Sequence, residues 1–258
     1  MRRLHRSSGR LEQGLILLEG THLLQEALGL GLRPQMVLVT PDWLTRHGAL
    51  VERLPDPGRL RSASPEVLAA ATTTRHPDGV LLTLAAADLP SPAAGVSPPA
   101  FVLALDRLQD PGNLGTLLRT ALAAGVERVW LAEGADPLQP KVLRASSGAA
   151  LALPIERMTA TDLLTRLAAA KERGVQLVAA MVPEATGEVR PYWELDWCRP
   201  TALLLGNEGA GLAPELVRLA DRWVTIPHSP AVESLNVAAA AALLLLERPR
   251  QAHGRPVP

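Results

Sequence analysis

A chain of 258 residues is long enough for one large domain or two smaller ones, and 47% hydrophobic with 20% charged residues excludes wholesale disorder. The formal net charge of zero gives no whole-molecule field that would favour nucleic acid, so any contact with RNA must come from local clusters. The single cysteine, Cys198, excludes an intrachain disulfide and a cysteine-based zinc cluster, and it indicates a reducing compartment.

Neither targeting nor membrane insertion is indicated by the sequence. The basic residues at positions 1–6 are not followed by the apolar stretch of a signal peptide. The longest apolar run, Val237–Leu246, is shorter than the roughly 20 residues that a membrane-spanning helix needs. We therefore expect a cytoplasmic protein with no membrane partner and no metal.

The first 90 residues alternate between strands and helices. Leu15–Leu18 and Val37–Val39 predict strands, and Gly20-Thr21 opens a helix between them. Ser64-Pro65-Glu66 is a helix start with proline at the first helical position, and Val80–Leu84 predicts a further strand. This pattern predicts a small α/β domain, to which we assign residues 1–87.

A linker and a second domain follow. Residues 88–99 are rich in proline, alanine and serine and lack periodicity, as is typical of a semi-rigid linker. Residues 100–258, which include a C-terminal tail, are assigned to the second domain. Its predicted strands are Phe101–Leu105, Val129–Leu131, Val175–Ala180, Ala202–Leu205 and Trp223–Ile226, with helices near 115–124, 140–150, 160–173, 213–221 and 234–247.

This alternation predicts a parallel α/β sheet, in which ligands collect at the carboxyl ends of the strands. The loop after the first of these strands contains Asn113, and Arg119 lies in the helix that follows. Three leucines at helical spacing face the sheet and turn Arg119 toward another side. Taken alone, this loop is also explained by Asn113 as a helix cap and Arg119 as a surface charge.

A glycine-rich loop, Gly206–Gly211, comes directly after the fourth strand. Its order G-x-x-G-x-G is not the dinucleotide fingerprint, and it lacks the Walker A lysine. The glycines permit close approach of a ligand, while Glu208 would repel phosphate. The loop favours an uncharged or cationic ligand such as the sulfonium of S-adenosylmethionine; the alternative is a glycine-rich turn with a solvated glutamate.

The third loop runs from Ile226-Pro227 into a strongly apolar helix. Ser234 or Glu233 is the expected cap of that helix, and Asn236 is a polar residue in its first turn. Capping alone would also account for these polar residues if this loop stood by itself. The functional interpretation therefore depends on all three loops occurring in this order, each after a strand.

In that order the loops resemble the three signature motifs of the SpoU (TrmH-like) RNA 2′-O-ribose methyltransferases. The resemblance covers about residues 100–248 and is carried by residues 110–121, 205–212 and 226–238, with 144–149 similar to the family's helix before the third strand. Residues 17–28 and 74–80 resemble the family's N-terminal substrate-binding domain, an L30e-like α/β fold that selects RNA.

The resemblance implies a C-terminal SPOUT domain, which is a trefoil-knotted parallel sheet, together with a homodimer and S-adenosylmethionine as the cofactor. It implies a catalytic site formed by Arg119, Asn113, Ser234, Glu208 and Asn236. It implies cofactor contacts from Gly206, Asn207, Gly211, Ile226, Pro227, Leu235, Asn236 and Met181.

The implied reaction transfers a methyl group to a ribose 2′-hydroxyl of structured RNA, with 23S rRNA as the first choice and tRNA as the alternative. No histidine or carboxylate pair in the three loops resembles an ordinary general base, and the pKa of arginine lies above about 12. We therefore interpret Arg119 as a stabiliser of the developing alkoxide, acting across the dimer interface.

Departures from the family pattern leave further alternatives open. His228 and Pro230 stand where the family usually has methionine and glycine, and proline removes an amide donor and fixes φ. A non-catalytic RNA-binding protein with the same fold is therefore a second hypothesis, and the glycine order disfavours a dinucleotide-dependent oxidoreductase. The arginines of the N-terminus, Arg2, Arg3, Arg6 and Arg10, are either phosphate contacts or a solvated tail.

Overall fold

The computed structural model describes residues 1–91, 99–182 and 189–253. These residues belong to two compact units, Met1–Pro90 with Asp136–Ala152, and Ser91–Ala135 with Leu153–Pro258. Residues 92–98 of the predicted linker and the last five residues of the predicted tail lie outside the described residues. Within the described residues, no helix combines the length and the apolar character needed to cross a membrane.

The elements of the chain up to residue 90 are α1 (Ser7–Gln13), β1 (Leu15–Glu19), α2 (Thr21–Gly29), β2 (Met36–Val39), α3 (Pro41–Arg46), α4 (Gly48–Val51), β3 (Leu60–Ser62), α5 (Pro65–Ala71) and β4 (Val80–Ala85). They are followed by β5 (Phe101–Asp106), α6 (Pro111–Ala123), β6 (Arg128–Ala132), α7 (Pro140–Ala145), α8 (Ala149–Ala152), β7 (Ile155–Met158), α9 (Ala160–Glu172) and β8 (Gln176–Ala180). The chain continues with β9 (Arg190–Pro191), β10 (Thr201–Leu205), α10 (Pro214–Leu219), β11 (Arg222–Thr225) and α11 (Val237–His253).

The first unit contains a mixed four-stranded sheet in the order β1-β4-β2-β3. β4 is antiparallel to both β1 and β2, whereas β2 and β3 are parallel. The N-terminus is part of this unit, because Leu4 is buried with Leu17, Leu68 and Leu81. The N-terminus is therefore packed rather than a free tail, although Arg2, Arg3 and Arg6 are exposed.

Residues 136–152, which the sequence assigned to the second domain, pack within the first unit. Arg144 forms an ion pair with Glu19, whose side chain is only 3% exposed. Arg10 is buried and forms an ion pair with Asp136. Buried charges need such partners, so these pairs account for the buried charges of this stretch and remove Arg10 from the expected phosphate contacts.

The described residues of the second unit form a seven-stranded sheet in the order β7-β6-β5-β10-β8-β11-β9, and every neighbouring pair is parallel. The predicted parallel α/β sheet is confirmed. Its central strands β5 and β10 are buried along their whole length, which explains their continuous apolar sequence. On one face Leu163 and Leu167 of α9 and Leu216 of α10 join the core, and α6 packs against α11.

Candidate functional site

Three loops extend from the carboxyl ends of β5, β10 and β11 in the second unit. β5 and β10 are neighbours in the sheet, so their loops begin side by side. The first loop leads into α6, the second into α10 and the third into α11. The sequence predicts that all three loops meet at this edge of the sheet.

Glu208 of the second loop joins the first loop through both carboxylate oxygens. Its Oε2 accepts a hydrogen bond from the backbone N–H of Gln109 at 3.1 Å, and its Oε1 accepts one from Asp110 at 3.0 Å. Desolvation raises the pKa of Glu208, but the backbone hydrogen bonds from Asp110 and Gln109 outweigh it, and the pKa lies below its ordinary value. Glu208 is therefore an ionised brace between the first two loops.

Asn113 continues this connection toward the third loop. Its Nδ2 donates a hydrogen bond to Oε1 of Glu208 at 3.3 Å, and its Oδ1 accepts one from Nδ2 of Asn236 at 3.0 Å. Glu208, Asn113 and Asn236 thus form a hydrogen-bonded chain across all three loops, which we call the polar bridge. Hydrogen bonds between side chains of different loops hold those loops in one relative position.

The helix caps differ from those expected. Asp110 caps α6 by accepting the backbone N–H of Asn113 at 2.7 Å, with proline at the first helical position. Asn236 caps α11 by accepting the N–H groups of Ala238 and Ala239 at 2.9 and 3.2 Å. The expectation that Asn113 caps its helix is wrong, as is the expectation that the third helix is capped two or three residues earlier.

Arg119 lies on the exposed side of α6, away from its buried leucines, as the sequence predicts. It follows Asn113 by six residues, which corresponds to about 9 Å along the helix and roughly 120° around it. Arg119 and Asn113 therefore project from different sides of α6. Ser234 is exposed and forms no side-chain hydrogen bond with another described residue.

The glycine-rich loop is closed on itself by Asn207. The backbone N–H of Asn207 donates to the carbonyl of Gly211 at 3.0 Å, and Gly211 donates back to Asn207 at 2.9 Å. The Oδ1 atom of Asn207 accepts the N–H groups of Gly209 and Ala210 at 2.9 and 3.0 Å. Most of the hydrogen-bonding capacity of Asn207 is therefore used inside its own loop.

The glycines at the two ends of this loop are required by its path. A Cβ atom on Gly206 would lie 2.2 Å from the backbone carbon of Gly211, and Gly211 has φ +67°. Glycine is thus required at position 206 because the loop's own backbone, and not a ligand, occupies the space of a Cβ atom.

The third loop and the end of β8 contain the remaining predicted cofactor residues. Ile226 and Leu235 are half-buried and Pro227 is exposed. The backbone N–H of Met181 donates to the carbonyl of Val224 at 2.9 Å, which holds half-buried Met181 beside β11. His228 turns back on its own loop, with Nδ1 2.7 Å from the carbonyl oxygen of Ile226.

Two features of this edge were missed by sequence reasoning. Arg107, at the end of β5, has φ 53°, which costs a non-glycine residue roughly 1–3 kcal/mol. Its guanidinium bonds the buried carboxylate of Asp106 at 2.8 and 3.0 Å, and this hydrogen bond raises the pKa of Arg107. Its carbonyl accepts Nδ2 of Asn207 at 2.9 Å. Arginine is not typical of left-handed backbone, so the sequence gives no signal for this conformation at position 107.

The second missed feature is Thr225, the last residue of β11. Its Oγ1 atom is buried and has no hydrogen-bond partner in the described structure. An unpaired buried hydroxyl is unfavourable unless a ligand or solvent supplies the partner. Thr225 directly precedes Ile226, which the sequence predicts to contact the cofactor.

No group of three or more histidine, cysteine, aspartate or glutamate side chains within 1–91, 99–182 and 189–253 is arranged to hold a metal ion.

Comparisons with known proteins agree with this geometry. Residues 100–246 match the model of the SpoU rRNA Methylase family, and residues 1–82 match the MRM3-like substrate binding domain. The chain is 43% identical over 256 residues to an uncharacterized tRNA/rRNA methyltransferase of Synechocystis sp., with 97% of this chain and 89% of the relative covered.

The chain is also 33% identical over 245 residues to the 23S rRNA (guanosine(2553)-2′-O)-methyltransferase RlmP of Bacillus subtilis, with 95% of this chain and 92% of the relative covered. The solved structure of an AdoMet-bound rRNA methyltransferase from Sinorhizobium meliloti aligns with a TM-score of 0.80 at 31% identity. This alignment covers 97% of this chain and 92% of that chain.

Proposed function

Because the chain belongs to the SpoU rRNA methylase family, we propose that it transfers a methyl group from S-adenosylmethionine to a ribose 2′-hydroxyl of structured RNA, preferably 23S rRNA. The observation that carries this proposal is the polar bridge, which links the three loops that carry the family's motifs. The similar B. subtilis protein is named for 2′-O-methylation of 23S rRNA, which favours rRNA over the alternative substrate, tRNA.

The chemistry of the second unit fits S-adenosylmethionine, the cofactor of this family. The loop Gly206–Gly211 contains no lysine or arginine that would bind phosphate, and Glu208 is an ionised carboxylate within it, which suits a cationic sulfonium. The unpaired hydroxyl of Thr225 offers a polar partner beside Ile226. The residues that would hold the cofactor are Gly206, Gly211, Ile226, Pro227, Leu235, Asn236 and Met181.

Asn207 has a different role in this proposal. Its side chain and backbone are engaged by its own loop and by Arg107. We therefore assign Asn207 to the positioning of the glycine-rich loop rather than to direct contact with the cofactor.

When bound, the cofactor supplies a methyl group on a sulfonium. The residues of the chain must hold the ribose in line with it, and such alignment contributes roughly 7–11 kcal/mol at best. Arg119 is a permanent cation that stabilises the developing alkoxide, while the proton leaves to water or to an RNA phosphate. Glu208 is unsuited as the base, because its carboxylate already accepts three hydrogen bonds and its pKa is lowered. Asn113, Asn236 and Ser234 position the reactants.

A homodimer completes this site in the proposal. Arg119 and Asn113 project from different sides of α6, and in the proposal it is the Arg119 of a second copy that reaches the ribose. Leu122 on α6 is 42% exposed, and Leu243 and Leu246 on the adjoining α11 are 45% and 44% exposed. Exposed leucines on two packed helices are typical of an interface. Leu122 follows Arg119 by one turn, which favours dimerisation through this side of α6.

We assign recognition of the RNA to the first domain, residues 1–87, and methyl transfer to residues 100–258. The match of residues 1–82 to a substrate-binding domain supports this division. Arg6 is exposed and its side chain has no partner among the described residues, so it remains a candidate phosphate contact. The cytoplasm is the proposed location, because the only cysteine cannot form an intrachain disulfide and the substrate is RNA.

Labelled S-adenosylmethionine and total RNA test the proposed reaction. The label is expected in ribosomal RNA, at a linkage that resists alkaline hydrolysis because the 2′-hydroxyl is blocked. Arg119→Ala should abolish labelling while calorimetry shows unchanged cofactor affinity. Unchanged turnover in this variant would overturn the role of Arg119, and label at a base or at an alkali-sensitive linkage would overturn ribose methylation.

A non-catalytic RNA-binding protein is the second candidate, favoured by the departures at His228 and Pro230. Calorimetric titration separates the two functions. Cofactor binding at micromolar to low millimolar concentration supports the methyltransferase, whereas RNA binding without cofactor binding supports the second candidate.

A further inference from the structure

An arginine-lined groove lies in the second unit, outside the three loops. It has a volume of about 580 Å³ and lies between the edge strand β7 and helix α9. Four arginines line it, Arg128, Arg157, Arg166 and Arg173, against two acidic residues. Since the whole chain has zero net charge, this concentration is a local feature rather than a consequence of a basic composition.

The acidic side chains of the groove are already engaged. Glu156 forms an ion pair with Arg166 and accepts a hydrogen bond from Nε1 of Trp130 at 3.1 Å. Asp162 accepts hydrogen bonds from the N–H and hydroxyl of Thr159 in the capping box at the start of α9. The four arginines of the groove outnumber its two carboxylates, and Glu156 is committed to Arg166.

Two of the arginines have no such partner. The side chains of Arg128 and Arg173 form no hydrogen bond or ion pair with another described residue. Arg173 is exposed and Arg128 is half-buried. Guanidinium groups of this kind suit phosphate oxygens, which they can bind through two parallel hydrogen bonds.

The groove begins at the edge of the sheet that carries the candidate site. Met158 ends β7 at the carboxyl edge, whereas Arg128 begins β6 at the opposite edge. Arg166 and Arg173 lie close to one face of α9 and its cap, over about 10 Å of helix. A strand leaving the site along this face would meet cations over that distance.

We propose that this groove binds the phosphate backbone of RNA that flanks the target nucleotide, without reading its sequence. This inference rests on the proposed function only in taking RNA as the substrate. Arginine contacts to phosphates release counterions, so the affinity they supply depends steeply on salt and is independent of sequence.

The test compares wild type with Arg128→Gln/Arg173→Gln in binding to a random-sequence RNA hairpin, measured by fluorescence anisotropy over a series of salt concentrations. The double variant should bind about tenfold more weakly at 0.1 M salt, and its slope of log K against log salt should fall by about 1.4–1.8. The matched control is Arg199→Gln/Arg222→Gln, two exposed arginines outside the groove. This control should retain the wild-type slope.

Equal slopes for the groove variant and wild type would overturn the proposal, as would an equal loss in the control. Saturable binding of polyglutamate at the groove, with RNA unable to compete, would assign the groove to an acidic protein and also overturn it. Photo-crosslinking of the hairpin to the wild-type protein needs no variant, so it does not depend on whether the double variant folds. Peptides that contain Arg173 should be crosslinked to RNA. Methylation is measured in a separate assay. Absence of methylation would contradict the proposed reaction, whereas the binding data would still test whether the groove binds RNA.

Discussion

Glu208→Gln is the substitution that most directly tests the brace between the first two loops. The carboxylate accepts hydrogen bonds from Gln109, Asp110 and Asn113. Glutamine keeps one acceptor oxygen and directs an NH₂ group at a backbone N–H. Charge-assisted bonds of this type contribute about 1.5–3 kcal/mol each when shielded, but Glu208 is exposed, so we expect a total loss of about 1–2 kcal/mol.

The pH dependence of this loss follows from the lowered pKa of Glu208. A carboxylate whose pKa is lower in the folded state contributes stability that is fully present above its ordinary value, near 4.5, and is lost as pH falls through the folded-state pKa. The difference between wild type and Glu208→Gln in urea unfolding should therefore be full at pH 7 and shrink below about pH 4.5.

Glu172→Gln is the matched control, because Glu172 is exposed and its side chain has no partner among the described residues. It should leave the free energy of unfolding unchanged within about 0.5 kcal/mol. A Glu208→Gln loss that is the same at pH 7 and pH 4, or no larger than that of the control, would refute the brace.

Three further predictions concern the loops and the interface. Asn236→Ala should lower the unfolding free energy by about 1 kcal/mol through loss of the cap, whereas Asn236→Ser should recover stability in urea unfolding but not methylation. Gly206→Ala places a Cβ atom 2.2 Å from the backbone of its own loop and should lower the free energy of unfolding by about 1–3 kcal/mol in thermal unfolding. Its control is Gly209→Ala, whose Cβ atom meets nothing closer than 3.7 Å and should leave thermal unfolding unchanged. Leu243→Glu/Leu246→Glu should convert a dimer to monomer in sedimentation velocity and abolish turnover; a dimer that persists would contradict the proposed interface.

The sequence predicted those parts of the fold whose residues are buried on both faces. β5 and β10 are continuous apolar runs because helices cover the sheet, and both were predicted within one residue at each end. β3 and β7 were missed, since edge strands such as Leu-Arg-Ser and Ile-Glu-Arg-Met are half exposed and carry no apolar pattern. The placement of residues 136–152 with the first unit depends on ion pairs between residues more than 120 positions apart, which periodicity does not encode.

The sequence predicts which loops form the candidate site, but it does not predict the hydrogen bonds between them. Parallel strands bring their carboxyl ends to one edge, so the order of the three motifs was enough to expect them together. Which polar side chain bonds which depends on tertiary positions. The Asp-Pro pair at 110–111 did carry a capping signal, whereas the left-handed backbone of Arg107 did not.

The departures at His228 and Pro230 lie in the part of the third loop that the polar bridge does not use. The bridge engages that loop through Asn236, at its end, and Asn236 is held in turn by its cap on α11. His228 bonds the carbonyl of Ile226 in its own loop, so it closes the loop locally. Since these departures leave the bridge intact, any effect they have must act on the cofactor contacts beside Ile226 rather than on the arrangement of the three loops. The three loops stay joined in this chain, and its cofactor affinity is the quantity that separates an enzyme from an RNA-binding protein of the same fold.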